Sequence, residues 1–346
     1  MIRKVLFGLI IVLVVVASFI GFKAYHALYE PNVKEDFVLW IDNQTDLSDI
    51  LVEHGKHFSN LQHFETIGNY KGLAENLKIG RYEIEQGMTA NQVVNQLLAG
   101  RQSPFSVTIN FVRDLEDLSK LLGQELYPSQ QEFLEYFQSS ELLEKYQLKN
   151  SEVLGLFIPN TYEFYWTTSP AAFAERMAKE REKFWANRQE KLERSPLNQA
   201  EVLSLASIVE SETARFDEMP VVAGLYLNRL EQGILLQSDP TVIYAWQQEH
   251  PEDQIIRVLY KHLKIVSPYN TYLNKGLPPG PIRIVSPQAI DAVLNAQDHA
   301  YIFMCADPRR PGYHAFTSSL REHNINRQRY TNWLREQQRI ARSRNS

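Results

Sequence analysis

The residues with the clearest chemical potential are Glu210 and Glu212, close to the end of an apolar run at 202–213. At helical spacing, Val202, Leu203, Leu205, Ala206, Ile208 and Val209 form one stripe. The two carboxylates fall on opposite edges of that stripe, with Ser204, Ser207 and Ser211 on the far side. A carboxyl group at the edge of an apolar face loses solvation, and its pKa rises. Such a group holds a proton at neutral pH and can give it to a leaving group. The same spacing also describes two solvated carboxylates at a helix end, and it does not choose between them.

Other polar residues follow in segments that read as turns and helix starts. Asn228, Gln237 and Asn270 offer amides, and Arg229 offers a cation for a buried carboxylate or for sugar hydroxyls. Asp239, just before Pro240, reads as a helix N-cap, with Thr241 in the first turn. Tyr244, Tyr269 and Tyr272 offer rings that suit the apolar faces of sugars, or serve as core. His314 reads either as an acid–base partner or sugar contact, or as an internally hydrogen-bonded histidine. Glu218 precedes Met219 and Pro220, so it reads as a first-turn acid of a helix that stops at Gly233. No second acid has a catalytic context. The nine histidines are scattered without metal-ligand spacing, so neither a metal nor a cofactor is expected.

The segments Ala206-Ser207-Ile208-Val209-Glu210-Ser211-Glu212, Asn228-Arg229-Leu230, the run 236–244, Tyr269-Asn270-Thr271-Tyr272, the loop 276–282 and His314-Ala315-Phe316 come in a fixed order. In that order they resemble the endolytic murein transglycosylase, or YceG-like, family over about residues 155–325. Two positions depart from the family pattern: Ser238 stands where Thr is usual, and Asn160 where Asp is common. The second departure puts an acidic role at position 160 in doubt.

The resemblance implies an α+β protein with a LysM-like module at residues 31–102 and a YceG-like catalytic domain at 103–346. It implies cleavage of the β-1,4 bond between N-acetylmuramic acid and N-acetylglucosamine in peptidoglycan glycan strands, leaving 1,6-anhydro ends. The second glutamate of the pair, Glu212, is then the catalytic acid. Glu210, Asn228, Arg229, Gln237, Asp239, Thr241, Tyr244, Tyr269, Asn270, Tyr272 and His314 are then substrate-binding or supporting. Penicillin-binding proteins are the implied partners. A muramidase-type hydrolase and a non-catalytic wall-binding scaffold are the alternatives.

The elements that must position these groups begin with an apolar stretch. Residues 5–22 carry no charge, follow Arg3 and Lys4, and are closed by Lys23. A run of about 18 apolar residues can cross a bilayer as a helix. The expectation is a single uncleaved span, a short cytoplasmic tail at residues 1–4, and a bulk that lies outside the inner membrane. The chain has 346 residues, 44% hydrophobic, with a net charge of −5, enough for two soluble units behind an anchor. That charge gives no reason to invoke nucleic acid. The lone Cys305 excludes an intramolecular disulfide. Strands are expected at 37–41, 80–84 and 106–112. Helices are expected at 47–52, 89–98, 115–122 and, as one long amphipathic element, 170–194.

Overall fold

The computed structural model describes residues 2–344. The tail expected at residues 1–4 begins outside the described residues. The chain opens with α1 (Ile2–Tyr29). Within it, Leu6–Tyr29 contains an 18-residue window with a mean hydropathy of 2.6, none of which is buried by protein. At about 1.5 Å per residue, those 24 residues exceed the ~30 Å of a bilayer core. Among the described residues this is the one helix long and apolar enough to cross a membrane. It runs past Lys23, where the apolar stretch was expected to close, and Ala27 in its last turns joins the core of the first unit.

The chain folds as two compact units. The first comprises Met1–Val107, Gln124–Ser129 and Tyr162–Thr168. Its centre is an antiparallel ladder of β1 (Phe37–Ile41) and β2 (Gly80–Ile84), with Leu39 opposite Tyr82. Between the strands lie α2 (Leu47–His54), α3 (Leu61–Tyr70) and the short α4 (Leu73–Asn76). After β2 comes α5 (Ala90–Ala99). Thr89 caps α5 in a capping box with Gln92, and Gly100 ends it at φ +64°, a conformation that costs glycine little. Phe64 and Ile67 of α3 are buried against this core. The sequence reading contains no helix there, although Leu61, Phe64 and Ile67 recur at helical spacing; the Asn, His, Glu and Gly around them obscure that stripe.

The second unit comprises Thr108–Gly123, Gln130–Thr161 and Ser169–Ser346. The strand β3 (Phe105–Ile109) leads into α6 (Leu115–Glu125), α7 (Gln130–Phe137) and α8 (Ser140–Tyr146). Then come β4 (Asn160–Phe164), which pairs with β3, and α9 (Pro170–Ala186). The single helix expected at 170–194 is two helices, because α10 (Gln189–Arg194) is separate. Arg188 makes the break: its guanidinium holds the Phe184 carbonyl and both carboxylate oxygens of Asp291, at 2.8 Å each. A bidentate pair on another element outweighs continuing one helical turn.

The unit's core is built on α11 (Gln199–Glu212), α12 (Met219–Glu231) and α14 (Pro287–Leu294), with α13 (Asp239–Glu249) alongside. Asn198 caps α11 in a capping box with Glu201, worth about 1 kcal/mol. The serines expected on a far face are also covered: Ser204 and Ser207 are as buried as the apolar stripe. The loop at 276–282 lies over them. Ser204 Oγ donates to the carbonyls of Pro278 and Gly280, and Ser207 Oγ accepts from Ile282 N–H at 3.0 Å. Gly280 is required in that loop, because a Cβ there would sit 1.8 Å from the Ser151 carbonyl oxygen. The chain closes with the antiparallel pair β5 (Phe303–Ala306) and β6 (His314–Thr317), then the polar α15 (Leu320–Arg344). The architecture is α+β: helical layers with short two-stranded ladders.

Candidate active site

The last turn of α11 delivers Glu212 to the point where α12 and the start of α13 meet it. Two hydroxyls converge on one of its oxygens. Tyr226 Oη donates to Oε1 at 2.8 Å, and Ser238 Oγ donates to the same oxygen at 2.6 Å. Tyr226 and Ser238 are almost completely buried, whereas Glu212 keeps a partly accessible surface. The carboxyl is thus enclosed yet reachable. Desolvation raises its pKa above 4.5, and nearby Asp239 adds to the rise; the two hydroxyls and His314 oppose it. With Oε1 occupied by donors, Oε2 is the oxygen placed to carry a proton. The Tyr226 phenol is itself pushed well up by burial and by the neighbouring carboxylate, so it stays a donor.

A second carboxylate lies just beyond the helix end. Glu218 is 4% exposed and takes three donors. Thr213 Oγ1 and His314 Nδ1 reach Oε2 at 2.9 and 2.8 Å, and His314 N–H reaches Oε1 at 2.7 Å. Glu218 occupies the N-cap position of α12 without capping it. Its side chain fixes His314 on β6 instead of serving as a first-turn acid.

Glu210 leaves α11 in another direction. It accepts from Ser286 N–H at 3.3 Å and lies 3.6 Å from Arg283 Nε. Glu210 and Ser211 border a cavity of about 310 Å³, which shares Asp114, Tyr244, Gln247 and Gln248 with a larger one of about 700 Å³. Tyr244 and Tyr269, with ring centres 4.7 Å apart, line the larger cavity. Glu212 itself lines neither; the smaller cavity reaches the two residues before it and Pro240.

A sequence model of the YceG-like family matches residues 41–329. The chain belongs to the YceG-like family. An endolytic murein transglycosylase of Bacillus subtilis strain 168 is 26% identical over 283 residues, covering 77% of this chain and 76% of that protein. A protein of the same name from Streptococcus pneumoniae D39 is also 26% identical over 283 residues, covering 74% of this chain. This chain spans only 50% of that longer relative. A crystal structure of a putative yceG-like protein from Listeria monocytogenes superposes with a TM-score of 0.57 at 26% identity, covering 84% of this chain and 98% of that one.

In this YceG-like chain several residues expected to bind substrate or support the site are tied into the surrounding fold. Asn228 Nδ2 donates to the carbonyls of His299 and Tyr301. Asn270 is fully buried and holds the carbonyls of Leu263 and Ile265, while its own oxygen takes Tyr272 N–H. These amides stabilise loops, because a buried carbonyl needs a donor. Arg229 binds neither a carboxylate nor an open surface: Nε donates to Ile302 and Nη1 to Leu235 and Leu236, all carbonyls. Asp239 is not the N-cap of α13 but its first residue; the N-cap is Ser238, and Asp239 accepts from Tyr272 Oη at 2.6 Å. Thr241 is buried and shares a hydrogen bond with Thr271, which also takes Ser238 N–H. Gln237 is exposed at φ +51°, next to the residue that touches Glu212. Asn160 is exposed on β4.

Sequence reasoning did not assign site roles to Tyr226 and Ser238. Tyr226 is hidden inside an apolar helix, where a tyrosine reads as core. Ser238 was legible as a family position, since Ser and Thr supply the same hydroxyl.

Proposed function

We propose that this chain is a membrane-anchored lytic transglycosylase that cuts the β-1,4 bond between N-acetylmuramic acid and N-acetylglucosamine in nascent peptidoglycan, leaving 1,6-anhydro ends. The observation that carries the reading is the enclosed Glu212 carboxyl, desolvated and held through one oxygen by two buried hydroxyls. Protonated Glu212 gives the proton on Oε2 to the glycosidic oxygen as the bond to C1 breaks. Tyr226 and Ser238 then stabilise the carboxylate that remains. That carboxylate accepts the proton of the muramyl C6 hydroxyl as its oxygen bonds to C1, which returns Glu212 to its starting state. One carboxyl suffices in both directions and no water is consumed. The names of the Bacillus and Streptococcus relatives support the substrate class.

The α1 helix supports an uncleaved single span with the catalytic unit outside the inner membrane. Unit 1 then stands next to the bilayer, where a LysM-like role in holding new glycan would place strands near the penicillin-binding proteins that make them. Digestion of peptidoglycan in isotopically labelled water tests the chemistry. Unlabelled anhydro ends are expected, and labelled reducing ends as the main product would make the protein a muramidase. Sequencing of the mature N-terminus and protease access in spheroplasts test the topology. A chain starting after residue 22, or one protected from external protease, would remove the anchor.

A further inference from the structure

We propose that the cavity beside Glu210 seats the peptide borne by the muramyl sugar, with Arg283 holding one of its carboxylates. This deepens the glycan-cleaving reading above and rests on it. The cavity, about 310 Å³, has two arginines on its lining. Arg113 is already satisfied, because its fork meets both oxygens of Asp117 at 2.7 and 3.2 Å. Arg283 is not. Its Nε is buried without a hydrogen-bond partner, and the Glu210 carboxylate at 3.6 Å is outside hydrogen-bond reach. The Arg283 charge is partly accessible and faces Glu210, but a buried N–H that no acceptor reaches is rare in folded proteins and invites one. The planar fork of a guanidinium fits a carboxylate best.

Phe111 strengthens the assignment. It is 83% exposed and sits at φ +48°, an uncommon conformation for a bulky residue. Its ring centre is 6.0 Å from the Arg283 guanidinium. Ile284 N–H donates to the Val112 carbonyl at 2.9 Å, so the two segments are tied together one residue beyond each. The fold thus holds an exposed ring beside the cavity-lining arginine whose Nε lacks a hydrogen bond. Gln247 and Gln248 add amides suited to peptide groups. A ligand with apolar, amide and carboxylate parts matches this set better than a bare sugar does.

The position agrees. Glu210 precedes Glu212 by two residues, about 3 Å along the helix axis though about 200° around it, and Ser211 and Pro240 carry the cavity lining towards Glu212. Glu212 acts at C1 of the muramyl residue, and the peptide leaves that same ring through its lactyl group.

The test is binding to the full chain in detergent, in the Glu212→Gln background to prevent turnover. The probes are the N-acetylglucosaminyl–N-acetylmuramic disaccharide carrying a tripeptide with free carboxylates, and the same disaccharide with its lactyl carboxyl capped as a methylamide. The peptide probe is expected to bind ~10-fold tighter, the scale of one charge-assisted pair. Arg283→Met should erase that preference, and Arg283→Lys should keep part of it. Phe111→Ala, at an exposed ring, should reduce the preference and covers the case in which Arg283→Met fails to fold. Equal affinity for both probes, no binding of either, or an undiminished preference in these variants overturns the proposal. Discrimination without anhydro products keeps the peptide site and sinks the transglycosylase reading; anhydro products without discrimination do the reverse.

Discussion

Glu210 and Glu212 leave one helix two residues apart and meet opposite surroundings. Glu212 faces inward, where two buried hydroxyls share one oxygen and desolvation favours the protonated form. Glu210 faces an arginine and a backbone N–H instead. The same residue type is therefore proposed to give a proton on one edge of the helix and to hold an arginine and a loop on the other. Two carboxyls on one helix thus meet different partners, and the enclosed one has its proton affinity raised by burial.

The largest expected effect tests this contrast directly. Glu212→Gln should fold and lose about 10²–10⁴-fold in anhydro-product formation, the typical contribution of a general acid–base group. It should also be more stable than the wild type at neutral pH. The sign follows from linkage: the folded carboxyl binds its proton more tightly than the unfolded one, so stability is lost as pH rises from 4.5 through the folded value. The amide escapes that loss, and its advantage should vanish near pH 4. Melting temperatures at pH 4 and pH 7 decide it; a variant no more stable at pH 7 would mean the carboxyl is not desolvated.

Next in size are the hydroxyls. Tyr226→Phe or Ser238→Ala removes one donor from the working carboxylate, a hydrogen bond to a charged group worth about 1.5–3 kcal/mol, or roughly 10–100-fold in rate. Both donors lower the Glu212 pKa, so either loss should move the basic limb of the pH–rate profile upward. Ser238→Thr keeps the hydroxyl and should stay near wild type. A Tyr226→Phe enzyme with unchanged rate and profile would reduce that contact to packing.

Glu218 should cost stability more than chemistry. It accepts three donors on two oxygens, and Gln offers only one acceptor oxygen. Glu218→Gln should lose about 1–3 kcal/mol, at roughly 2–4 °C of melting temperature per kcal/mol. Wild-type melting would show that His314 finds its place without this carboxylate.

These contrasts also mark what the sequence disclosed. The elements with strong local signals, such as α11, α5 and the β1–β2 pair, stand where periodicity and capping residues place them. The break at Arg188 and the burial of Ser204 and Ser207 depend on partners 70–100 residues away, which no local pattern contains. The same holds for the site. Glu212 was visible as chemistry, and Asn228, Arg229 and Asn270 as binding or supporting groups, but the partners they hold were not visible. Their donors go to backbone carbonyls on distant turns, a need set by the tertiary path of the chain. Tyr226 was hidden as well, since a tyrosine among apolar residues gives no sign of where its hydroxyl ends.

The smallest effect belongs to Glu210→Gln. The variant still accepts from Ser286 N–H through its amide oxygen, so α11 keeps that tie. What it loses is the charge facing Arg283, a pair at 3.6 Å with both side chains partly accessible. Pairs of that kind are worth about 0–1 kcal/mol, so cleavage should fall less than about fivefold. The charge removed is also the one that competes for Arg283 with a carboxylate on the substrate. Peptide-bearing strands should therefore bind somewhat more tightly to Glu210→Gln than to the wild type, although turnover is slightly slower. Titration of the peptide-bearing disaccharide against both chains, with anhydro-product rates alongside, separates the two edges of the helix. A folded Glu210→Gln without activity, beside a Glu212→Gln that still turns over, would exchange their roles.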